Sequence, residues 1–264
     1  MNNKKTSRAR AIQLLESHRN RVPFTPFSDT AKIDSLDEAY EIQRNYVELL
    51  LEEENEEIAG YKIGLTSERM QKLLDIDSPI AGVITRNRVL PSLSAVTKRS
   101  FVNLGIEYEI AVLIGADLPP KNMPYERTEV EQAVAAVAPA VELVDDRSAD
   151  YGETDIGSLI ADNSWNAGLV VGEFCNEWPS LESVEGIAYL NGKEIDRGYG
   201  KDVLGHPFEP LLWLVNHLAK GPRGLKSGDV IATGSLVPTR FPVGQEETRF
   251  EVSGLGSVTV KVEA

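Results

Sequence analysis

Two periodicities divide the chain. Through the first 60 residues apolar positions recur at helical spacing, and Ile42, Tyr46, Leu49 and Leu50 fall on one face. Ser35 followed by Glu38 reads as a capping box, with the hydroxyl on an early backbone N–H and the carboxylate reaching back. That helix dissolves into the acidic run Glu52 to Glu57, read as a solvated face or turn. From Ile58 the pattern becomes strand-like, over Ile58–Leu65, Ile106–Ile114, Ala140–Asp145 and Asp229–Thr233. Asn191-Gly192 predicts a hairpin turn between Ile187–Leu190 and Lys193–Asp196. A second hairpin is expected from Thr248 to Glu263, where Val258, Val260 and Val262 alternate with polar residues. Two helices interrupt the strands. Thr128 to Glu131 reads as a capping box opening an Ala- and Val-rich helix that Pro139 closes. Leu211 to Ala219 is apolar, with Gly221 as its stop. There is no internal repeat. The expectation is an α+β chain with a helical N-terminal part, residues 1–60, and a larger β-rich body, residues 61–264.

Composition narrows the function classes. Of 264 residues 42% are hydrophobic and 26% charged, an ordinary globular balance able to bury a full core. Lys plus Arg is 27 against 41 Asp plus Glu, a net charge of −14. That excludes nucleic acid as an expected partner, because phosphate binding needs a basic surface. It equally disfavours an anionic membrane, and no apolar run approaches the roughly 18–20 residues needed to span one. The basic, polar stretch Met1–Arg10 has no apolar segment behind it and does not read as a secretory signal. Cys175 is the single cysteine, which fits a reducing compartment, so the expected location is the cytoplasm.

The segment Gly105-Ile106-Glu107-Tyr108-Glu109-Ile110-Ala111-Val112-Leu113-Ile114 carries the chemistry. Strand side chains alternate, so Ile106, Tyr108, Ile110, Val112 and Ile114 share one face and Glu107, Glu109, Ala111 and Leu113 the other. Two adjacent like charges are unfavourable unless a cation lies between them or one keeps its proton. Glu142, in Val141-Glu142-Leu143-Val144, is a third acid between apolar neighbours. Hard oxygen ligands of this kind suit Mg²⁺, Mn²⁺ or Ca²⁺. The alternative is a pair of edge strands with the glutamates in water.

Lys62 sits inside the apolar stretch Gly60-Tyr61-Lys62-Ile63-Gly64-Leu65-Thr66-Ser67, with a glycine two residues to either side. Those glycines would admit a ligand close to the backbone. Lys62 could bind a substrate carboxylate or move protons; the alternative is an exposed strand lysine. Walker A, G-x-G-x-x-G and G-x-S-x-G motifs are absent, and three scattered histidines with one cysteine cannot build a common zinc site. His206, in Leu204-Gly205-His206-Pro207, is either a catalytic base or a structural histidine at a helix entry. Cys175 is read as a small hydrophobe.

Taken together, these segments resemble the 2-keto-4-pentenoate hydratases and 4-oxalocrotonate decarboxylases of the fumarylacetoacetate hydrolase superfamily. The resemblance runs from about Leu36 to the C-terminus. It is carried by the Gly60–Ser67 and Ile106–Ala111 segments and by Pro139-Ala140-Val141-Glu142. Ala161-Asp162-Asn163, Leu204-Gly205-His206-Pro207, Lys226-Ser227-Gly228-Asp229 and Thr233-Gly234 extend it. It implies a mixed β-sandwich roll with a smaller helical N-terminal part, and a homo-oligomer. It also implies that Glu107, Glu109 and Glu142 bind Mg²⁺ or Mn²⁺ and that Lys62 is the active-site lysine. Leu65, Thr233 and Ser235 would contact the substrate, and Asp162 and His206 would be secondary catalytic candidates. Two places depart from the pattern. Gly105 stands where members carry a basic residue, and Ile80 stands where the hydratases carry an aspartate. Ile80 is similar to the decarboxylase branch, whereas Gly234-Ser235-Leu236-Val237-Pro238 is similar to the hydratase branch.

The resemblance implies a small 2-oxo or 2-hydroxy-dienoic acid as substrate. In a hydratase, 2-hydroxypenta-2,4-dienoate ketonises and water adds at C4, giving 4-hydroxy-2-oxopentanoate. In a decarboxylase, the same electron sink takes up the pair released as CO₂ leaves 2-oxohex-3-enedioate. The expectation is the hydratase, with the decarboxylase as the alternative and a non-catalytic partner subunit as a third reading.

Overall fold

The computed structural model describes residues 2–27, 32–73 and 76–264. Helices α1 (Asn2–Arg19) and α2 (Leu36–Glu54) pack on each other. The described residues between them are not helical, so the helical reading of the first 60 residues holds for two segments rather than throughout. Ser35 caps α2, its hydroxyl accepting the Glu38 N–H at 3.2 Å. Glu38 does not reach back to Ser35. Its carboxylate accepts the Asp34 N–H at 3.0 Å and pairs with Arg10 of α1 at 2.9 Å, tying the helices together. The acidic run is exposed, and Glu53, Glu54 and Glu57 pair with Arg19, Arg88 and Arg86. Such pairs contribute at most about 1 kcal/mol each. Ala11, Leu14, Ile42 and Tyr46 bury the inner faces of both helices in the main core.

Among the described residues the strands form two mixed sheets. The first has seven strands, in the order β2 (Ile80–Thr85), β1 (Ile58–Gly64), β10 (Val230–Ser235), β5 (Leu104–Ile114), β6 (Val134–Asp145), β7 (Asn166–Val171) and β3 (Val89–Pro91). The second has five, in the order β4 (Ala95–Thr97), β12 (Gly256–Glu263), β11 (Glu246–Val252), β8 (Glu185–Leu190) and β9 (Lys193–Tyr199). β11 and β12 pack across β6. Asn191 and Gly192, at φ 49° and 79°, turn β8 into β9 with the positive dihedrals a tight hairpin needs.

The segment after Thr128 departs from expectation. Helix α4 covers only Arg127–Gln132, and Glu126 is its cap. β6 then runs straight through Pro139, with Ile110 paired to Pro139 and Ala111 to Ala138. A run of Ala and Val buried on every side does not reveal its period. The long edge of β5 decides it, and the Pro139 carbonyl still accepts the Gly172 N–H at 2.8 Å. β5 itself is buried on both faces. Ile106, Tyr108, Ile110, Val112 and Ile114 enter the main core, while Ala111 and Leu113 join a smaller one with Ile84, Ala140, Leu169 and Val230. Among the described residues the remaining α-helices are α3 (Glu68–Leu73), α5 (Ile156–Ala161) and α6 (Phe208–Leu218), the last beginning three residues before the expected Leu211.

Candidate active site

Strand register assembles the acids. β5 and β6 place Glu107 directly opposite Glu142, and β10 places Ser235 opposite Glu109. Glu107, Glu109 and Glu142 each offer an oxygen within 4.8 Å of the others. Glu109 and Glu142 are fully buried and Glu107 partly so. Lys62, from β1, is 4% exposed, and its Nζ lies 3.3 Å from Glu142 Oε1. The Asn166 amide donates to the same oxygen at 3.0 Å. The Gly234 N–H donates to Glu109 Oε2 at 2.7 Å, and Thr239 Oγ1 donates to Glu107 Oε1 at 2.5 Å.

Three carboxylates share one ammonium here. Burial holds Glu109 well above the usual carboxylate range, and the charges of Glu142 and Glu107 add to it. Burial also raises Glu142, to about 7, against the pull of Lys62. At Lys62 burial works against the charge, but Glu142, Glu107 and Glu109 outweigh it and the ammonium is held above its ordinary value. Glu109 Oε1 and Glu142 Oε2 are buried with no hydrogen-bond partner. Buried polar atoms left so in a native protein call for an unseen water or ion. Converging hard oxygens of this kind fit a divalent cation such as Mg²⁺ or Mn²⁺.

A cavity of about 500 Å³ opens beside this cluster, with Lys62, Glu107, Leu65, Ile80 and Ser235 in its wall. Leu65, at φ 56°, follows β1 directly. Thr233 lies beneath the wall, fully buried, donating to the Ile110 carbonyl at 2.8 Å. Asp162 does not line the cavity. It is buried and accepts from Arg147 at 2.5 Å and from His18 of α1 at 2.6 Å, so it anchors the N-terminal helix to the body. His206 is also elsewhere. It lines a separate depression beside Glu182, and its Nδ1 meets Arg127 and the Phe208 N–H at 3.0 Å each, the contacts of a structural histidine at a helix entry.

A Cβ on Gly60 would stand 1.8 Å from the Val230 carbonyl oxygen, so this glycine admits β10, not a ligand. A Cβ on Gly105 would meet the side chains of Thr239 at 3.2 Å and Phe241 at 3.3 Å, so a larger residue at this departure from the family pattern would require those side chains to shift. Thr239 and Asn166, which hold Glu107 and Glu142, gave no signal in the sequence, because each reaches its glutamate through sheet register and loop packing.

The fold and this cluster define an enzyme-like chain of the β-roll type with an acidic, lysine-bearing cavity. Residues 38–263 match the family described as Fumarylacetoacetate (FAA) hydrolase C-terminal, and the chain belongs to that family. It is 28% identical to 2-hydroxyhexa-2,4-dienoate hydratase of Comamonas testosteroni, over 99% of this chain and 99% of that one. It is 31% identical to 2-oxo-hept-4-ene-1,7-dioate hydratase of Escherichia coli, over 78% of this chain and 80% of the other. Among solved structures, 4-oxalocrotonate decarboxylase from Pseudomonas putida G7, complexed with magnesium and adipate, superposes with a TM-score of 0.90 at 25% identity, covering 98% of this chain and 97% of that one. Among the described residues no helix is long and apolar enough to cross a membrane.

Proposed function

We propose that this chain is a divalent-metal-dependent hydratase that converts 2-hydroxy-2,4-dienoates to 4-hydroxy-2-oxo acids. The observation that carries the reading is the buried Glu107–Glu109–Glu142 trio, with two unpartnered carboxylate oxygens, beside Lys62. The hydratase names of its relatives support the reaction class, and the magnesium in the decarboxylase structure supports the metal.

Glu107, Glu109 and Glu142 would hold Mg²⁺ or Mn²⁺. When bound, the cation supplies Lewis-acid stabilisation of negative charge growing on the 2-oxo oxygen. Lys62, whose Nζ lies 3.3 Å from Glu142 Oε1 in the cavity wall, can pair with the substrate carboxylate and pass a proton to the carbon skeleton. Leu65 and Ser235 border the substrate. Thr233 acts from behind, fixing β10 to β5 so that the Gly234 N–H meets Glu109. Asp162 and His206, given their placement, take no part in this scheme. We extend the proposal to a cytoplasmic homo-oligomer in which the body from β1 onward carries catalysis and helices α1 and α2 form an accessory part.

Ile80 favours a second reading. It is 2% exposed and lines the cavity, where an apolar side chain can neither activate water nor donate a proton. Loss of CO₂ from a distal carboxylate needs no such group. The test supplies 2-hydroxypenta-2,4-dienoate and 2-oxohex-3-enedioate separately with Mg²⁺, following dienol absorbance and CO₂ release. Turnover of the dienoate is expected. CO₂ release from the diacid without dienoate turnover would replace hydration by decarboxylation, and turnover of neither, with no metal retained, would point to a non-catalytic subunit.

A further inference from the structure

The cavity carries a second cation that the proposed chemistry does not use. Four charged side chains line it: Lys62, Glu107, Arg69 and Asp202. Lys62 and Glu107 belong to the acidic cluster. Asp202 is exposed and its carboxylate accepts the Tyr199 N–H at 2.7 Å. Arg69, on the short helix α3, is exposed and makes no hydrogen bond or ion pair among the described residues. The nearby Glu68 is already paired with Lys72 at 3.1 Å.

The two cations differ in setting. Lys62 is buried, on the strand, while Arg69 stands exposed seven residues further on, past the non-helical segment Leu65–Ser67. Apolar side chains share the wall with both, among them Leu65, Met70, Ile80 and Leu236. A partly apolar cavity whose wall holds one buried cation and a second, exposed and unpaired one matches a ligand with two anionic groups. The whole chain carries a net charge of −14, which repels a dianion, so an exposed local cation has something to offset.

We propose that Arg69 binds a second, terminal carboxylate, making the preferred substrate an α,ω-dicarboxylic 2-oxo or 2-hydroxy-dienoic acid. This rests on the reading of the glutamate trio as a metal-held oxo-acid site, and it applies to hydration and decarboxylation alike. Arg69 is then a specificity-determining residue: it sets which acid is bound and leaves the reacting end to Lys62 and the glutamates.

The test is calorimetric binding to the Mg²⁺-loaded protein of two acids of equal chain length, 2-oxohexanoate and 2-oxoadipate. The diacid should bind about two- to fivefold more tightly, the range of an ion pair near the surface, and the preference should shrink as salt rises. Arg69→Gln should bring the diacid to the affinity of the monoacid while leaving the monoacid unchanged; Arg69→Lys should restore part of the preference. Equal affinities in the unaltered protein, or a preference that survives Arg69→Gln, would overturn the role of Arg69 while leaving the oxo-acid site intact. Binding of neither acid with Mg²⁺ present would overturn the site reading itself, and this inference with it.

Discussion

Thr239 Oγ1 donates a 2.5 Å hydrogen bond to Glu107 Oε1, so a residue of the loop after β10 fixes a carboxylate of β5. The loop is itself stitched to that strand, with the Leu236 N–H on the Tyr108 carbonyl at 2.8 Å and the Arg240 N–H on the Ile106 carbonyl at 3.0 Å. Groups that orient a metal ligand commonly matter about 10–100-fold for metal affinity. Thr239→Val keeps the shape and removes the donor, and should weaken Mn²⁺ binding by about that factor; Thr239→Ser should retain it. Metal titration of the three proteins decides. Unchanged affinity in the valine variant would make the contact incidental.

Glu109→Gln should abolish metal-dependent turnover. It removes a charged ligand while nearly keeping the volume, and Glu109 Oε1 is one of the two unpartnered oxygens. Metal content per chain, measured after dialysis, should fall from one toward none. Retained metal and activity together would move the site elsewhere.

Lys62→Met should lower kcat/KM by about 10²–10⁴, the usual range for a lost proton-transfer group. Circular dichroism of the Mg²⁺-loaded variant should remain native, because the cation still neutralises the carboxylates that Lys62 faces. A near-normal kcat/KM would reduce Lys62 to a counter-ion.

The metal-free protein should lose stability as pH rises from about 4.5 to about 7. In the folded state burial raises Glu142 to about 7, above the ordinary 4.5 of an unfolded glutamate. Between those values the folded chain holds a proton that the unfolded chain has released, so raising the pH favours unfolding. Glu109 is raised for the same first reason, burial, and acts in the same sense. Divalent metal, which binds ionised carboxylates, should reverse the trend. Melting curves in chelator should show the slope in the unaltered protein and a weaker one in Glu142→Gln; parallel curves would count against the raised carboxyls.

Ile80→Asp should increase hydration relative to decarboxylation, because it places a group able to activate water in a cavity wall that is apolar at this position. Both activities of the variant, measured with the two substrates under Mg²⁺, give the ratio. A folded variant with an unchanged ratio would remove position 80 from the choice of reaction.

Much of the cluster was legible before the fold. Alternation along Ile106–Ile114 put Glu107 and Glu109 on one face, and apolar neighbours singled out Glu142 and Lys62, while leaving open whether they were buried or faced water. The register that brings Glu142 opposite Glu107 was not legible, because pairing between β5 and β6 is a property of two distant segments. The same pairing overrode the expected helix across Pro139. Asp162 and His206 matched family segments, yet motif order says nothing about which way a side chain faces. Asp162 turned to His18 and Arg147, and His206 to Arg127 and the start of α6.

Local alternation, turn chemistry and capping set the strands that carry the acids, the hairpins at Asn191-Gly192 and near the C-terminus, and the capped start of α2. Long-range packing settles which acids meet, that two of their oxygens are left without partners, that Thr239 and Asn166 hold them, and that Arg69 lines the same cavity as Lys62. Those relationships join residues far apart in the chain through sheet register and loop packing. Neither leaves a periodic trace in the sequence, because each is fixed by which segments bury one another.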